Sequence, residues 1–344
     1  SIGVPGCANC SATFTPSASE PQVENSSKIH HRKLLTNAGA FNQAFGFPYL
    51  AIRDKLDVFH SQYIAPFISP CPVVVTIHDI LFESMPEYFG ARHSSLLKLL
   101  VPMAARSSAH IITVSHYRRE EIIKRYKIPR EKVSVIPNGV DARWRPLDPA
   151  NVSAALDRLG VSKPYILNVG RIAPIKNVSG LLRAYQSACS EGIDLDLVIV
   201  GGKDQLFRES ESARVLASFG KYAARVKFLG DVSNEDLVRI YNGAELFVFP
   251  SFGEGFGLPV LEAMACGTPV LCSNTTSLPE VAGSDGATFN PYDQEEFNGK
   301  LTTLLLNEEE RLRLAKAGLE RSRTFSWERS ALETIRVYER IASR

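Results

Sequence analysis

Between Phe247 and Pro269 the chain reads FVFPSFGEGFGLPVLEAMACGTP, an apolar run, then a turn with Gly253, Gly255 and Gly257, then a segment opened by Pro259 and closed by Gly267. Glycine permits close backbone approach and unusual dihedrals, proline suits the first helical position, and glycine suits the stop. The pattern predicts a strand that runs through a glycine-rich turn into a helix. The amides of Phe256, Gly257 and Leu258 would then head that helix with its dipole behind them, which is the design of an anion site. Two carboxylates bracket the turn: Glu254 lies inside it and Glu262 stands in the helix, eight positions on. An ionised carboxylate accepts paired hydrogen bonds, so one can grip the hydroxyls of a sugar and the other those of a ribose. A carboxylate early in a helix is also favourable in its own right, so Glu262 gains a functional reading only beside Glu254 and the three glycines.

A second constellation lies at Asn168 to Asn177, NVGRIAPIKN, where a strand ends and Arg171 and Lys176 follow on the loop before a helix. A departing pyrophosphate needs neutralising charge, which arginine supplies as a planar fork and lysine as a point charge. Such cations are often only solvated loop charges; the acidic turn gives these two a purpose. Asp194-Leu195-Asp196 has the form of a metal-binding acidic pair. Strand alternation puts both aspartates on one face at the start of a strand, away from the carboxyl ends where ligands bind, so no metal site is expected.

These residues need a scaffold of strands. Asp57 to His60, Val73 to Ile80, Ile111 to Ser115 and Val133 to Ile136 read as buried strands, with helices over Ser94 to Arg106 and Tyr117 to Tyr126. A second alternation follows: strands at Tyr165 to Val169, Leu195 to Val200, Val226 to Leu229, Leu246 to Pro250 and Pro269 to Cys272, with helices near Val178 to Cys189, Asn234 to Tyr241 and Pro259 to Cys266. Such alternation implies α/β layers around parallel sheets. The expected division is a Ser/Pro-rich mobile tail over 1–28, an N-terminal Rossmann-like domain over 29–145, a hinge over 146–163, a C-terminal Rossmann-like domain over 164–322, and a last helix over 323–344 packing back toward the N-terminal domain.

The 344 residues are 44% apolar and 22% charged, with Lys and Arg at 39 against Asp and Glu at 37. That is enough chain for two cores, and the near balance of charge argues against wrapping nucleic acid. Six scattered cysteines, Cys7 and Cys10 among them, are too few for a disulfide scaffold and lack structural-zinc spacing. Without a membrane-spanning run or a signal-peptide pattern, the expected location is the cytoplasm. The basic segment Tyr117 to Lys132 reads as a solvated helix face, with contact to an anionic membrane surface as the alternative.

Arg171, Lys176 and Glu254-x7-Glu262 together resemble the family-four retaining glycosyltransferases of the GT-B fold. Thr76-Ile77-His78-Asp79-Ile80, Val114-Ser115 and Ile136-Pro137-Asn138-Gly139-Val140-Asp141 support the likeness, which covers most of residues 56–344. The resemblance implies two Rossmann-like domains facing each other across a cleft. Arg171 and Lys176 would hold the donor phosphates in place of a metal ion, with no cofactor. Glu254 would contact the transferred sugar, aided by the amides at Gly255, Phe256, Gly257 and Leu258. Glu262 would bind ribose, His78 would face the sugar from the N-terminal domain, and Leu229, Asp231 and Val232 would lie near the base. The donor would be a GDP- or UDP-sugar, with mannose from GDP-mannose closest to the context of His78-Asp79 and Pro137–Asp141. The acceptor would be a glycan or a lipid-linked glycan. The segment before Asp57 offers no strand-turn-helix pattern, so an N-terminal domain lacking its first such unit is expected, with an exposed sheet edge that favours a homodimer. Two other readings stay open: a nucleotide-sugar binder without turnover, and a nicotinamide oxidoreductase, against which Gly253-Glu254-Gly255-Phe256-Gly257 lacks the last glycine of the dinucleotide motif.

Overall fold

The computed structural model describes residues 42–202 and 211–343. The tail over 1–28, Cys7, Cys10, the start of the N-terminal domain at 29–41 and the question of its first strand-turn-helix unit lie outside the described residues.

In the first half, α1 (Phe47–Arg53) leads into β1 (Phe59–Gln62), β2 (Val73–Thr76), α2 (Leu81–Ser84), α3 (Ala91–Ser107), β3 (His110–Thr113), α4 (His116–Tyr126) and β4 (Val133–Val135). The four strands form a parallel sheet in the order β1-β2-β3-β4. All four residues of β2 are buried, because a parallel sheet is covered on both faces and β-branched residues fill such a surface. Val73 and Val75 pack with Leu97 and Val101 of α3 and Ile122 and Tyr126 of α4. Val74, pointing the other way, packs with Ile112 and Ile136 under a helix from the far end of the chain. The strand expected to reach Ile80 stops at Thr76. Thr113 Oγ1 donates to the Ile77 carbonyl at 2.7 Å and Asp79 Oδ1 accepts from the Leu81 amide at 3.0 Å, so His78 and Asp79 leave the sheet on a held loop.

In the second half the elements are α5 (Pro149–Arg158), β5 (Tyr165–Val169), α6 (Val178–Ser190), β6 (Asp196–Val200), α7 (Glu211–Ala217), β7 (Val226–Gly230), α8 (Asn234–Gly243), β8 (Leu246–Phe249), α9 (Leu258–Ala265), β9 (Val270–Ser273), α10 (Leu278–Ala282), β10 (Ala287–Phe289), α11 (Gln294–Leu306), α12 (Glu308–Ser322) and α13 (Trp327–Ala342). The sheet is parallel, ordered β10-β9-β8-β5-β6-β7. From β5 the chain winds outward through β6 and β7, and from β8 through β9 and β10. The crevice between β5 and β8 is therefore the topological switch point, where ligands bind in such sheets.

Residues 146–163 are not a free connector. Val152 and Leu156 of α5 pack with Val238 and Tyr241 of α8, so this segment is part of the second core. The true crossing is narrower. The Val140 amide donates to the Phe325 carbonyl at 3.4 Å and Val140 pairs with Ser326. A Cβ on Gly139 would lie 2.1 Å from the Trp327 nitrogen, so only glycine lets the two passing segments touch. Beyond the crossing, α13 lies on the N-terminal sheet, where Val337 and Ile341 join Val74, Ile112 and Ile136. Among the described residues no helix is long and apolar enough to cross a membrane.

Candidate active site

At the end of β5, Asn168 Nδ2 donates to the Val248 carbonyl at 2.9 Å and ties the two strands of the crevice together. The loop that follows carries Arg171, which is exposed, and then a single 3-10 turn, Pro174–Lys176. Asn177 takes the left-handed conformation at φ 51° and caps α6, its side chain accepting from the Gly180 amide at 3.1 Å. That sharp reversal sends Lys176 back over β8. Its Nζ stands 5.8 Å from the Phe249 ring centre and 2.5 Å from Glu254 Oε1.

The turn after β8 is held on all sides. The Phe252 amide donates to the Ile175 carbonyl at 2.9 Å, the Glu254 amide to Thr276 Oγ1 at 3.0 Å, and Ser277 Oγ to the carbonyls of Glu254 and Phe256 at 2.9 and 3.0 Å. Gly257, at φ 113°, precedes α9, which starts without a side-chain cap, so the backbone around Phe256, Gly257 and Leu258 forms a helix head. The N-terminal domain closes against this turn. A Cβ on Gly255 would lie 3.0 Å from Asp79 Oδ2 and 3.2 Å from the His78 carbonyl. The half-buried His78 packs against Tyr63, ring centres 5.8 Å apart. Burial holds its pKa below the ordinary histidine value, against the opposing pull of the Asp79 carboxylate, so its imidazole is neutral at neutral pH. Tyr88 from the N-terminal domain stacks on Phe252, which stacks in turn on Tyr292.

Glu262 has different neighbours. It lies on α9 beside α8, where the Tyr241 hydroxyl donates to its Oε2 at 3.1 Å. Burial pushes its carboxyl up to about 7, while the Tyr241 hydrogen bond and the Arg143 guanidinium pull the other way. Leu229, Asp231 and Val232 sit at the carboxyl end of β7; the two apolar side chains rest against the core, and Asp231 lies under Gly202 of the loop after β6. The structure thus joins Lys176, Glu254 and the His78-Asp79 loop at the switch point. It places Glu262 on α9 against Tyr241 of α8, and the β7 residues at the outer strand. Asp194 and Asp196 are engaged elsewhere: Arg225 Nη2 is 2.8 Å from Asp194 Oδ1 and Lys227 Nζ is 3.0 Å from Asp196 Oδ2.

Several residues of the site escape a reading of local sequence. Arg118 belongs to the segment read as a solvated basic face, yet it is fully buried and its Nη2 donates to the Glu254 carbonyl at 2.6 Å. The reading of that whole segment as solvated is corrected at this residue, because its partner is 136 positions away. Glu280, Tyr241, Thr276 and Ser277 likewise show their roles only when distant strands are brought side by side.

Two parallel-sheet domains facing each other, with a lysine and a carboxylate paired at the switch point of the second, have the layout of the GT-B class. The family described as "Glycosyl transferases group 1" matches residues 157–321, and "Glycosyltransferase Family 4" matches residues 12–144. The chain belongs to the group 1 glycosyltransferases. It is 34% identical over 268 residues to "O-antigen chain mannosyltransferase B" of Escherichia coli, covering 77% of this chain and 70% of that protein. To "Serotype-specific mannosyltransferase WbdA" of Escherichia coli it is 32% identical over 233 residues, which is 67% of this chain but only 29% of the relative. The crystal structure of Anabaena Alr3699/HepE in complex with UDP-glucose has the same fold, with a TM-score of 0.71 at 21% identity, over 91% of this chain and 86% of that one.

Proposed function

We propose that this glycosyltransferase moves mannose from GDP-mannose to a glycan or lipid-linked glycan, with retention at the anomeric carbon and without a metal ion. The observation that carries this reading is Lys176 Nζ at 2.5 Å from Glu254 Oε1 in the crevice between β5 and β8. Its charge arrangement suits the reaction. The bond from the anomeric carbon to the diphosphate oxygen breaks, an acceptor hydroxyl oxygen bonds to that carbon from the same face, and the hydroxyl proton passes to the departing phosphate. Negative charge grows on the phosphate, and Lys176, Arg171 and the amides heading α9 are preorganised to take it up. The carbon gains positive charge, which the Glu254 carboxylate faces. A neutral His78 hydrogen-bonds the sugar without setting a second cation beside it.

The mannosyltransferase names of the relatives support the choice of sugar, and the UDP-glucose held by the Anabaena protein supports a nucleoside-diphosphate donor. Cations already standing at the crevice support metal independence. The test offers GDP-mannose and UDP-glucose in turn, with manno-oligosaccharides as acceptor, with and without EDTA, and reads the product linkage by NMR. The expected result is α-mannoside from GDP-mannose at a rate EDTA leaves unchanged. No consumption of GDP-mannose, abolition by EDTA or a β-linked product would each sink the corresponding part of the proposal.

A further inference from the structure

The N-terminal domain reaches into the backbone of the turn that holds Glu254. Arg118 leaves the first turn of α4 with no solvent exposure; Nη2 donates to the Glu254 carbonyl at 2.6 Å and Nη1 to Glu121 Oε2 at 2.5 Å. Its Nε has no hydrogen-bond partner among the described residues. A buried guanidinium is a costly way to fill space, and apolar residues often replace one without loss of stability. Its contact with the main chain of Glu254 gives the charge a use.

The other domain answers at the same helix. Glu280 of α10 crosses to the head of α4, where Oε2 accepts from the His116 amide at 2.8 Å and Oε1 from the Tyr117 amide at 2.5 Å. Ser115 Oγ accepts from the Arg118 amide at 3.2 Å. The first three amides of α4 are thereby satisfied, two of them by a carboxylate from the opposite domain, and the positive end of the helix favours that negative charge. Arg118 to Glu254 and Glu280 to α4 are thus reciprocal contacts, one crossing each way.

We infer that Arg118 is a positioning residue for sugar transfer and that Glu280 completes the latch: with the domains together, the N-terminal domain fixes the turn and so sets the Glu254 carboxylate. This rests on the reading that Glu254 faces the transferred sugar. Parting the domains would withdraw Arg118 from the turn while leaving the nucleotide contacts of the C-terminal domain in place. Turnover is therefore tied to closure and nucleotide affinity is not, which guards the donor against water until the cleft is shut.

The experiment compares R118M, R118K, E280Q and E254A with the wild-type chain. It measures kcat and KM for mannose transfer from GDP-mannose, GDP affinity by calorimetry, and thermal melting. R118M is expected to lose about 100-fold in kcat, the scale of an ångström-sized misplacement, with GDP affinity unchanged. R118K, which keeps the charge and one donor nitrogen in place of three, recovers part of the loss, and E280Q shows a smaller loss of the same kind. Wild-type kcat in folded R118M overturns the inference, as does a fall in GDP affinity parallel to that in kcat. If R118M does not fold, E280Q decides: reduced kcat at unchanged GDP affinity supports the latch, and wild-type kcat overturns it. Wild-type turnover in E254A would remove the premise and the inference with it, whereas an inactive E254A beside a fully active R118M overturns the latch alone.

Discussion

Glu254 and Glu262 stand eight positions apart, one in the turn after β8 and one in the helix that the turn enters, yet they meet opposite surroundings. Glu254 faces the Lys176 ammonium at 2.5 Å and is pinned by its backbone at both the amide and the carbonyl. Glu262 faces a phenol, and its carboxyl is pushed up to about 7. A single short segment therefore presents a charge-matched carboxylate to the cleft and a carboxylate that titrates near neutrality to the body of the domain. Eight positions of spacing put both acids on one turn and helix, and their neighbours decide what each can do.

The largest loss is expected at Lys176. Lys176→Ala removes the counter-charge from Glu254 and from the departing phosphate together, and kcat is expected to fall by about 10²- to 10³-fold, the range seen when one preorganised donor is lost. A steady-state assay with GDP-mannose checks it, and a loss confined to KM would assign Lys176 to ground-state binding only.

Glu262→Gln should act on affinity. If ribose hydroxyls donate to the ionised carboxylate, GDP affinity at pH 8 weakens by about tenfold, as for a hydrogen bond to a charged group, with kcat little changed. In the unfolded chain a glutamate loses its proton near about 4.3, whereas Glu262 in the folded chain holds its proton to about 7. Folding then takes up a proton between those values, so this group's contribution to stability falls as pH rises through that window. Nucleotide binding has the opposite sign: it favours the ionised form, so GDP affinity should climb as pH rises toward about 7, by at most about tenfold per unit, and level off above. Calorimetry from pH 5.5 to 8.5 would show that slope in the wild type and a flat line in Glu262→Gln. A flat wild-type profile would take Glu262 out of the nucleotide site.

The smallest expected effect is at Tyr241→Phe. Losing the hydroxyl removes a bond that restrains the Glu262 pKa, so the titration should move upward and GDP affinity at pH 7 should fall by about two- to fivefold, the worth of one ordinary hydrogen bond. At pH 9 the difference should vanish. A loss that persists there would mean that Tyr241 acts through packing.

Much of the scaffold can be read from local pattern. The runs Tyr165–Val169 and Leu246–Pro250 announce strands because mostly apolar segments bounded by turns have few alternatives in a parallel sheet, and Val226–Leu229, interrupted by Lys227, is the half-buried edge strand. β10 was not expected: it is three residues, Ala287–Phe289, of which only Phe289 is buried, too short to carry a period. Lys176 and Glu254, found in separate motifs, meet at hydrogen-bond distance because β5 and β8 are neighbours, which strand order decides and spacing does not. Arg118 was hidden for a physical reason. In a run with Arg119, Lys124, Arg125 and Lys127, nothing local marks which cation faces inward. Arg125 meets Glu83 and Arg130 meets Glu120 at the surface, while Arg118 alone of these is buried against another domain. Glu280 is concealed in the same way, since a carboxylate in a five-residue helix gives no sign that it serves the amides of a different one.

The touching segments at Gly139 and Trp327 have a consequence for anyone who would divide the molecule. The sixteen residues of α13 follow the second domain in the chain but belong by packing to the first. A fragment cut at residue 148 would carry the four-stranded sheet with Val74, Ile112 and Ile136 laid bare, and a fragment begun there would trail an amphipathic helix with nothing to lie on. The halves can be separated on paper by sequence number, but the unit that must be kept whole is the pair, joined by a doubled strap of chain.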